Sequence, residues 1–403
     1  MELFWLEHKK LWRKKIVKIC VLLCFVYCVI FGSILSFQWF SFGSSDDYTS
    51  AFGNNFDGYT VIKDSQEYAL SFGGELTDET LQQIVSDYQQ MEADGMGEEL
   101  EKTDWQIVNS WLGTLYPELR DTSNYKTMIS YVDPDKLTGF YERRQQVLDE
   151  FLEVSGQVGA EKEFLHQIER KVEKPFRYEW VEGWSTLLGS MVADLGVVMA
   201  LFLGIVLSSL FAGEWHDNTS TLVLTTRNGW GKIALAKILT GLAFTVELFA
   251  LLAVSSVISQ LFFMGTAGWN MPIQNIKLIA VAPMNMLQAE IYEYAFVLLG
   301  AIGFAGIVMF ISAAVKNNVL TLLLSLAVVY GPMMIAEYLP YEMQKALDLI
   351  PLVGSSTDIF RTNTFRIFGK LIWSPYLLIT IPVLIGILCM PFAIKSWSRR
   401  MKA

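Results

Sequence analysis

The chain has 403 residues, of which 52% are hydrophobic and 18% charged, and a mean hydropathy of +0.35. This is a membrane composition, not that of a soluble enzyme. The net charge of −10 is split: residues 41–186 hold 29 acidic and 12 basic side chains, the remainder 12 acidic and 19 basic. No basic stripe with interleaved aromatics occurs, so nucleic-acid binding has no support in the sequence and no nucleic-acid partner is expected.

Residues 1–15 include "ELFWLEHKKLWRKK", in which Leu3, Phe4, Leu6 and Leu11 alternate with Trp5, Trp12 and cations. Such a segment reads as an amphipathic entry helix lying among membrane lipids, or as a plain basic flank of the first span. A bilayer core about 30 Å thick needs about 20 apolar residues in a helix. The first such stretch, 16–40, is too long for a signal peptide and has no convincing cleavage site, so it reads as a retained anchor. Cys20, Cys24 and Cys28 share one face of it and read as small apolar side chains on a membrane helix. With Cys389 they are all the cysteines, so the acidic region has no disulfide available.

Residues 41–186 form one inserted domain, expected to be mixed α/β and mostly helical. "GYTVIKD" (58–64) and the segment before Gly73-Gly74 read as strands. Thr77 reads as the N-cap of a helix with Asp78 and Glu79 in its first turn. Further helices are expected over about 138–154 and 159–173, with Pro175 breaking the last. Glu163, His166 and Glu169 share a helical face, but without a second nearby His they read as a solvated face and not a metal site. No GxSxG or HExxH motif occurs, so hydrolase chemistry has no support.

Five more spans follow at 187–212, 233–263, 291–315, 319–337 and 374–394. They are separated by a 213–232 loop, a 264–290 loop, a 316–318 turn and a 338–373 loop, and end in a 395–403 tail. The predicted fold is therefore an α-helical polytopic membrane protein of six spans with a domain inserted between the first two. Lys9, Lys10, Arg13, Lys14, Lys15 and Lys18 precede span one, and Lys395, Arg399, Arg400 and Lys402 follow span six. By the positive-inside rule both termini and the 213–232 loop are cytoplasmic and the acidic domain is extracellular. Asp194 in span two and Glu247 in span three are costly in lipid, so each reads as lining a translocation path or as a packing carboxylate. Gly196, Gly204, Gly300, Gly303 and Gly306 are placed for close helix approach. Prolines around 338–373 predict short helices there.

The 213–232 loop joins two spans, and "DNTSTLVLTT" within it reads as a short helix capped by Asp217 or Asn218, able to dock a cytoplasmic partner. Its residues "FAGEW" and "TSTLVLTTRNGWGKIALAK" resemble the loop after the second span in ABC transporter permeases of the type-2 exporter class. Phe211, Glu214, Thr219, Thr221, Leu222, Thr225, Lys232 and Lys237 match that pattern, and "GGELTDETL" is similar to segments of bacterial permeases of this class. The likeness extends to the whole plan of entry helix, six spans and inserted domain; the large size of that domain departs from the family's short-loop members.

The resemblance implies a bacterial plasma-membrane permease that moves an amphipathic or hydrophobic cargo, such as an antimicrobial peptide or drug, outward. It implies a second permease copy or a related permease, and two ABC ATPase subunits on the inner loops. Glu214, Trp215, Asp217, Thr219, Thr221, Thr225 and Arg227 would carry the coupling. No GxxxxGK[ST] occurs in the chain, so ATP and Mg would be held by the partner ATPase and no cofactor by this chain. Two other classes stay open: a membrane sensor or scaffold with a ligand-binding outer domain, and an ion-coupled carrier using Asp194 and Glu247.

Overall fold

The computed structural model describes residues 2–37, 66, 67, 69, 73–96, 100, 105–121, 126–217, 219, 231–354 and 362–399, and only the backbone of 31–37, 190–194 and 399. Among the described residues five helical stretches, Leu195–His216, Lys232–Met264, Met286–Ala314, Asn318–Tyr338 and Ser374–Ser398, are long and apolar enough to cross a membrane. The chain is thus an α-helical, multi-pass membrane protein.

The N-terminal part is α1 (Glu2–Arg13) and α2 (Lys15–Phe37), with a break at Lys14. The main bundle is α8 (Val192–His216), α9 (Lys232–Met264), α10 (Met286–Ala314), α11 (Asn318–Ile335) and α13 (Ser374–Arg399). Helix α10 is central, packing against α8, α9, α11 and α13. Apolar side chains lie on all of its faces, as a helix enclosed by others requires. Helices α1 and α2 lie against α9. Cys20, Cys24 and Cys28 are buried there in the main apolar core.

Small residues let α10 and α13 touch backbone to backbone. A Cβ on Gly303 would strike the Pro382 carbonyl of α13, and one on Gly306 the Gly386 carbonyl. One on Gly300 would meet Leu352 at 3.1 Å, and one on Gly204 would meet Leu326 of α11 at 3.2 Å. At Gly196 nothing among the described residues lies within 4 Å of the position its Cβ would take.

The inserted domain contains β1 (Gly74–Leu76), α3 (Asp78–Ala93), α4 (Trp105–Leu115), α5 (Phe140–Val154), α6 (Ala160–Glu169) and β2 (Phe176–Tyr178). A short α7 (Glu182–Thr186) and one π turn (187–191) lead into α8. Strands β1 and β2 pair antiparallel, with Glu75 opposite Arg177. Thr77 caps α3, accepting the Thr80 amide at 3.2 Å. Asp78 at the same end accepts the amides of Gly139 and Phe140, which fixes the start of α5 against α3. Trp111, Tyr116, Phe140 and Phe176 are fully buried in the domain core.

The segment between α9 and α10 folds into this domain. The Trp111 indole donates to the Asn275 carbonyl at 3.1 Å. Arg144, fully buried, donates to the carbonyls of Leu278 at 2.7 Å and Ala280 at 3.2 Å, and pairs with Glu169 at 2.6 Å. Lys174 adds a second ion pair to Glu169 at 2.9 Å. Glu169 is therefore not on a solvated face as its spacing suggested. Glu163 pairs with Arg170, and His166 with Asp149.

Boundaries differ from expectation mainly at helix ends. Helix α8 runs on to His216, α10 begins at Met286 behind an Asn285–Gln288 capping box, and α13 continues to Arg399. Gln66, Glu67 and Ala69 are helical where a strand was expected, and the strand begins at Gly74. The 58–64 strand lies outside the described residues. The 338–373 connection contains the short helix α12 (Tyr341–Leu347), as its prolines suggest, but also a hairpin, β3 (Thr364–Ile367) with β4 (Lys370–Trp373). Alternation in β3 and β4 is too brief to stand out from the apolar start of α13.

Two measurements follow from these contacts. Gly303→Ala forces α10 and α13 apart and should cost about 1–3 kcal/mol, whereas Gly196→Ala should be near neutral; thermal unfolding in detergent compares them. Equal midpoints would mean the close approach is not limiting. Burial opposes ionisation of Glu169, but Lys174 and Arg144 outweigh it and hold its carboxyl below the ordinary range. Its stabilisation is thus complete above the unfolded pKa of about 4.3 and is lost as pH falls through the lower folded value. Tryptophan-detected unfolding should show the wild type losing stability through that acidic window more steeply than Glu169→Gln, which is weaker at neutral pH but flatter.

Candidate functional site: a polar node at the basic end of the bundle

The cationic ends of α1, α9 and α13 meet the C-terminal turn of α8 and the α10–α11 turn at one end of the bundle. Helix α1 places Glu7, His8, Leu11 and Trp12 on the face toward α9 and leaves Trp5 and Leu6 exposed. Glu7, Lys10 and Lys14 fall three and four residues apart, so one stripe delivers a carboxylate and two ammonium groups to the same place.

At the centre is Glu214, 3% exposed on the last turn of α8. Its Oε1 accepts from Lys10 at 2.6 Å and from Lys237 of α9 at 2.8 Å. Lys237 is 2% exposed and also donates to Glu7 at 2.9 Å and to the Leu210 carbonyl at 3.1 Å. All three ammonium hydrogens of Lys237 thus have acceptors. Lys14 donates to Ser209 at 2.9 Å.

Burial lowers the pKa of Lys10, but the hydrogen bond and charge of Glu214, with Glu7 and Asp217, reverse this and raise it overall. Lys14 is shifted the other way, by burial first and then by repulsion from Lys237 and Lys10. The node therefore carries three crowded cations whose balance depends on Glu214.

The chain leaving α8 is fastened to this node. Thr219 donates its hydroxyl to the other carboxylate oxygen of Glu214, and its amide donates to the Glu214 carbonyl at 3.0 Å. The Asp217 amide donates to the Gly213 carbonyl at 2.9 Å, extending the turn one residue beyond α8. Glu214 is thus on the helix and not in the following loop. Thr221, Thr225, Arg227 and the expected short helix lie outside the described residues.

Trp215 joins the node to the rest of the bundle end. Lys316, in the α10–α11 turn, sits 4.3 Å above its ring, and Trp397 of α13 meets it edge-on at 6.2 Å. Phe211 reaches Trp397 at 5.5 Å. Ser312 of α10 accepts the amides of Phe211 and Ala212 and donates to the Ser208 carbonyl at 2.7 Å. Through Glu214 and Trp215, the last turn of α8 thus contacts α1, α9, α13 and the α10–α11 turn directly.

Glu247 lies further along α9 and is also held by α1: His8 approaches it at 3.1 Å and the Trp12 indole donates to it at 3.0 Å. Asp194 is in the first turn of α8, and its side chain is outside those described. Two further carboxylates, Glu290 and Glu293, are buried at the other end of α10. Glu290 neighbours the Tyr294 hydroxyl, which in turn neighbours Ser256 of α9. Reading the helix as starting at 291 left Glu290 in a loop and obscured this pair.

The Glu214–Lys237 contact makes a clean double-mutant test. Glu214→Gln leaves the buried Lys237 with Glu7 as its one remaining counter-charge among the described residues and should cost up to about 3–5 kcal/mol, as should Lys237→Met, which leaves Glu214 with Lys10. The double variant Glu214→Gln/Lys237→Met removes both charges and should lose less than the sum of the single changes; additive unfolding energies would mean the two groups act independently. No family model, curated protein or solved structure matches the chain.

Proposed function

We propose that this chain is the permease subunit of an ATP-driven exporter, a six-span relative of the type-2 ABC class with cytoplasmic termini in a bacterial plasma membrane. In this reading α2 is the first span, and the domain inserted after it is extracellular. The Glu214 node supports the reading most directly. A push on the loop after α8 reaches a buried charge network that ties that loop to four helices, which is what a subunit driven from outside itself requires.

The energy source is a separate ATPase holding ATP and Mg, with two such subunits on the inner loops of two permease chains. The cargo is amphipathic or hydrophobic. Lys10, Lys237 and Thr219 orient Glu214; Trp215 carries its displacement to Lys316 and Trp397. Burial of Glu290 and Glu293 in α10 favours a second reading, an ion-coupled carrier that needs no ATPase.

Purification of the tagged chain from its native membrane separates the two. The exporter reading expects a Walker-motif ATPase to accompany it, with cargo-stimulated ATP hydrolysis that falls in Glu214→Ala while membrane insertion is unchanged. A chain that purifies alone and supports ion-driven flux in liposomes would replace the exporter with the carrier. An unchanged ATPase rate in Glu214→Ala would remove Glu214 from coupling.

A further inference from the structure

A cavity of about 440 Å³ opens where the end of the inserted domain meets the segment that leads into α10. Its volume is within the range of small-ligand sites, about 300–1,000 Å³. One wall is the 171–177 stretch and the other is 270–288.

The walls are stiff. Pro175, Pro272 and Pro283 line them, and proline fixes φ. Pro272 bridges to Asn285, and the Ile273 amide donates to the Met284 carbonyl at 3.2 Å. β2 holds the opposite wall through its pairing with β1.

The chemistry of the lining is specific. Lys171 and Arg177 bring two cations, and Glu173 one carboxylate, into a domain that is otherwise strongly acidic. Phe176 and Tyr178 are buried, so strand alternation turns Arg177 outward. Glu75 is opposite Arg177 in register, yet among the described residues none of Lys171, Glu173 and Arg177 has an ion pair.

Asn285 and Gln288 spend their side-chain oxygens on the α10 capping box, which leaves both NH₂ groups as donors. The positive end of α10 is itself closed: the Met286 amide goes to the Met271 carbonyl and the Leu287 amide to the Trp269 carbonyl. A negative group in this cavity must therefore be met by side chains, and the available set is two cations, amide donors and one carboxylate.

We propose that this cavity binds a short peptide by its free ends. The peptide carboxylate pairs with Lys171 and Arg177, the amino group with Glu173, and main-chain carbonyls accept from Asn285 and Gln288. Occupancy would bridge the inserted domain to the first turn of α10. This site is independent of the coupling role assigned to Glu214.

Calorimetric titration of the full-length protein in detergent with trialanine tests the proposal. Saturable binding is expected, with affinity reduced about tenfold or more when the peptide is N-acetylated and C-amidated. The same loss is expected in K171A/R177A; these exposed residues should leave the unfolding midpoint unchanged. The blocked-peptide comparison uses only the wild type and so holds even if the variant is unstable. Absence of saturable binding by free trialanine, or equal binding of the blocked peptide, overturns the site.

Discussion

Withdrawing a carboxylate and an ammonium from water costs several kcal/mol each, and apolar helix packing cannot return that cost. Glu214 and Lys237 are both nearly inaccessible, so α8 and α9 can be joined at this end only if the two charges meet. Their contact in turn dictates where α1 lies, because the remaining valences are filled by Lys10 and Glu7 from that helix. An N-terminal segment that its amphipathic pattern alone would lay on a lipid surface is thereby made part of the bundle. Its exposed Trp5 and Leu6 still offer an apolar edge, so packing on α9 and contact with lipid occupy different faces of the same helix.

The opposite end of the bundle is organised by a different buried ion pair. Arg144 takes Glu169 from within the inserted domain and the Leu278 and Ala280 carbonyls from the segment before α10. A guanidinium sends donors from Nε and both terminal nitrogens in fixed, separate directions, so it reaches the two carbonyls and the carboxylate at once, whereas a lysine would have to serve all three from one point. The inserted domain is consequently joined to the central helix by a network that resists shear, in addition to its covalent link through α7 and α8. Between the two ends, α10 and α13 approach backbone to backbone at Gly303, Gly306 and Gly386. A helix pair in such contact can carry displacement along its length, while α11, mostly exposed on its outer side, is not held in the same way.

Much of this plan is legible in the residues. Long apolar runs identify the bundle helices because a helix is the one arrangement that satisfies its backbone in lipid. Thr77 announces α3 by its own side chain, and Gly303 and Gly306 announce a close contact by the lack of one. What spacing cannot give is partnership across the fold. Glu169 shares a face with Glu163 and His166 in sequence, yet Arg144, 25 residues away, removes it from water. Glu214 stands out as an acid beside an apolar run, but nothing local identifies Lys10, 204 residues distant, as its partner. The β3–β4 hairpin was hidden for a simpler reason, since four-residue strands beside a span share its apolar composition.

The two networks differ in what they permit. Arg144 is fully enclosed and bound to backbone carbonyls, so separating it from Glu169 exposes an arginine with nowhere to go; this joint can only hold or unfold. Around Glu214 the geometry is graded. Lys237 is enclosed, but Lys10 is half exposed, and Lys14 faces Ser209 and the repulsion of its neighbours. Lys10 can exchange Glu214 for water at small cost, whereas Lys237 cannot. A displacement of Thr219 would therefore loosen α1 before it parts α8 from α9. That order of strengths gives the node a yielding element and a rigid one, and in the proposed coupling role the yielding one is where outside work would enter the bundle without dismantling it.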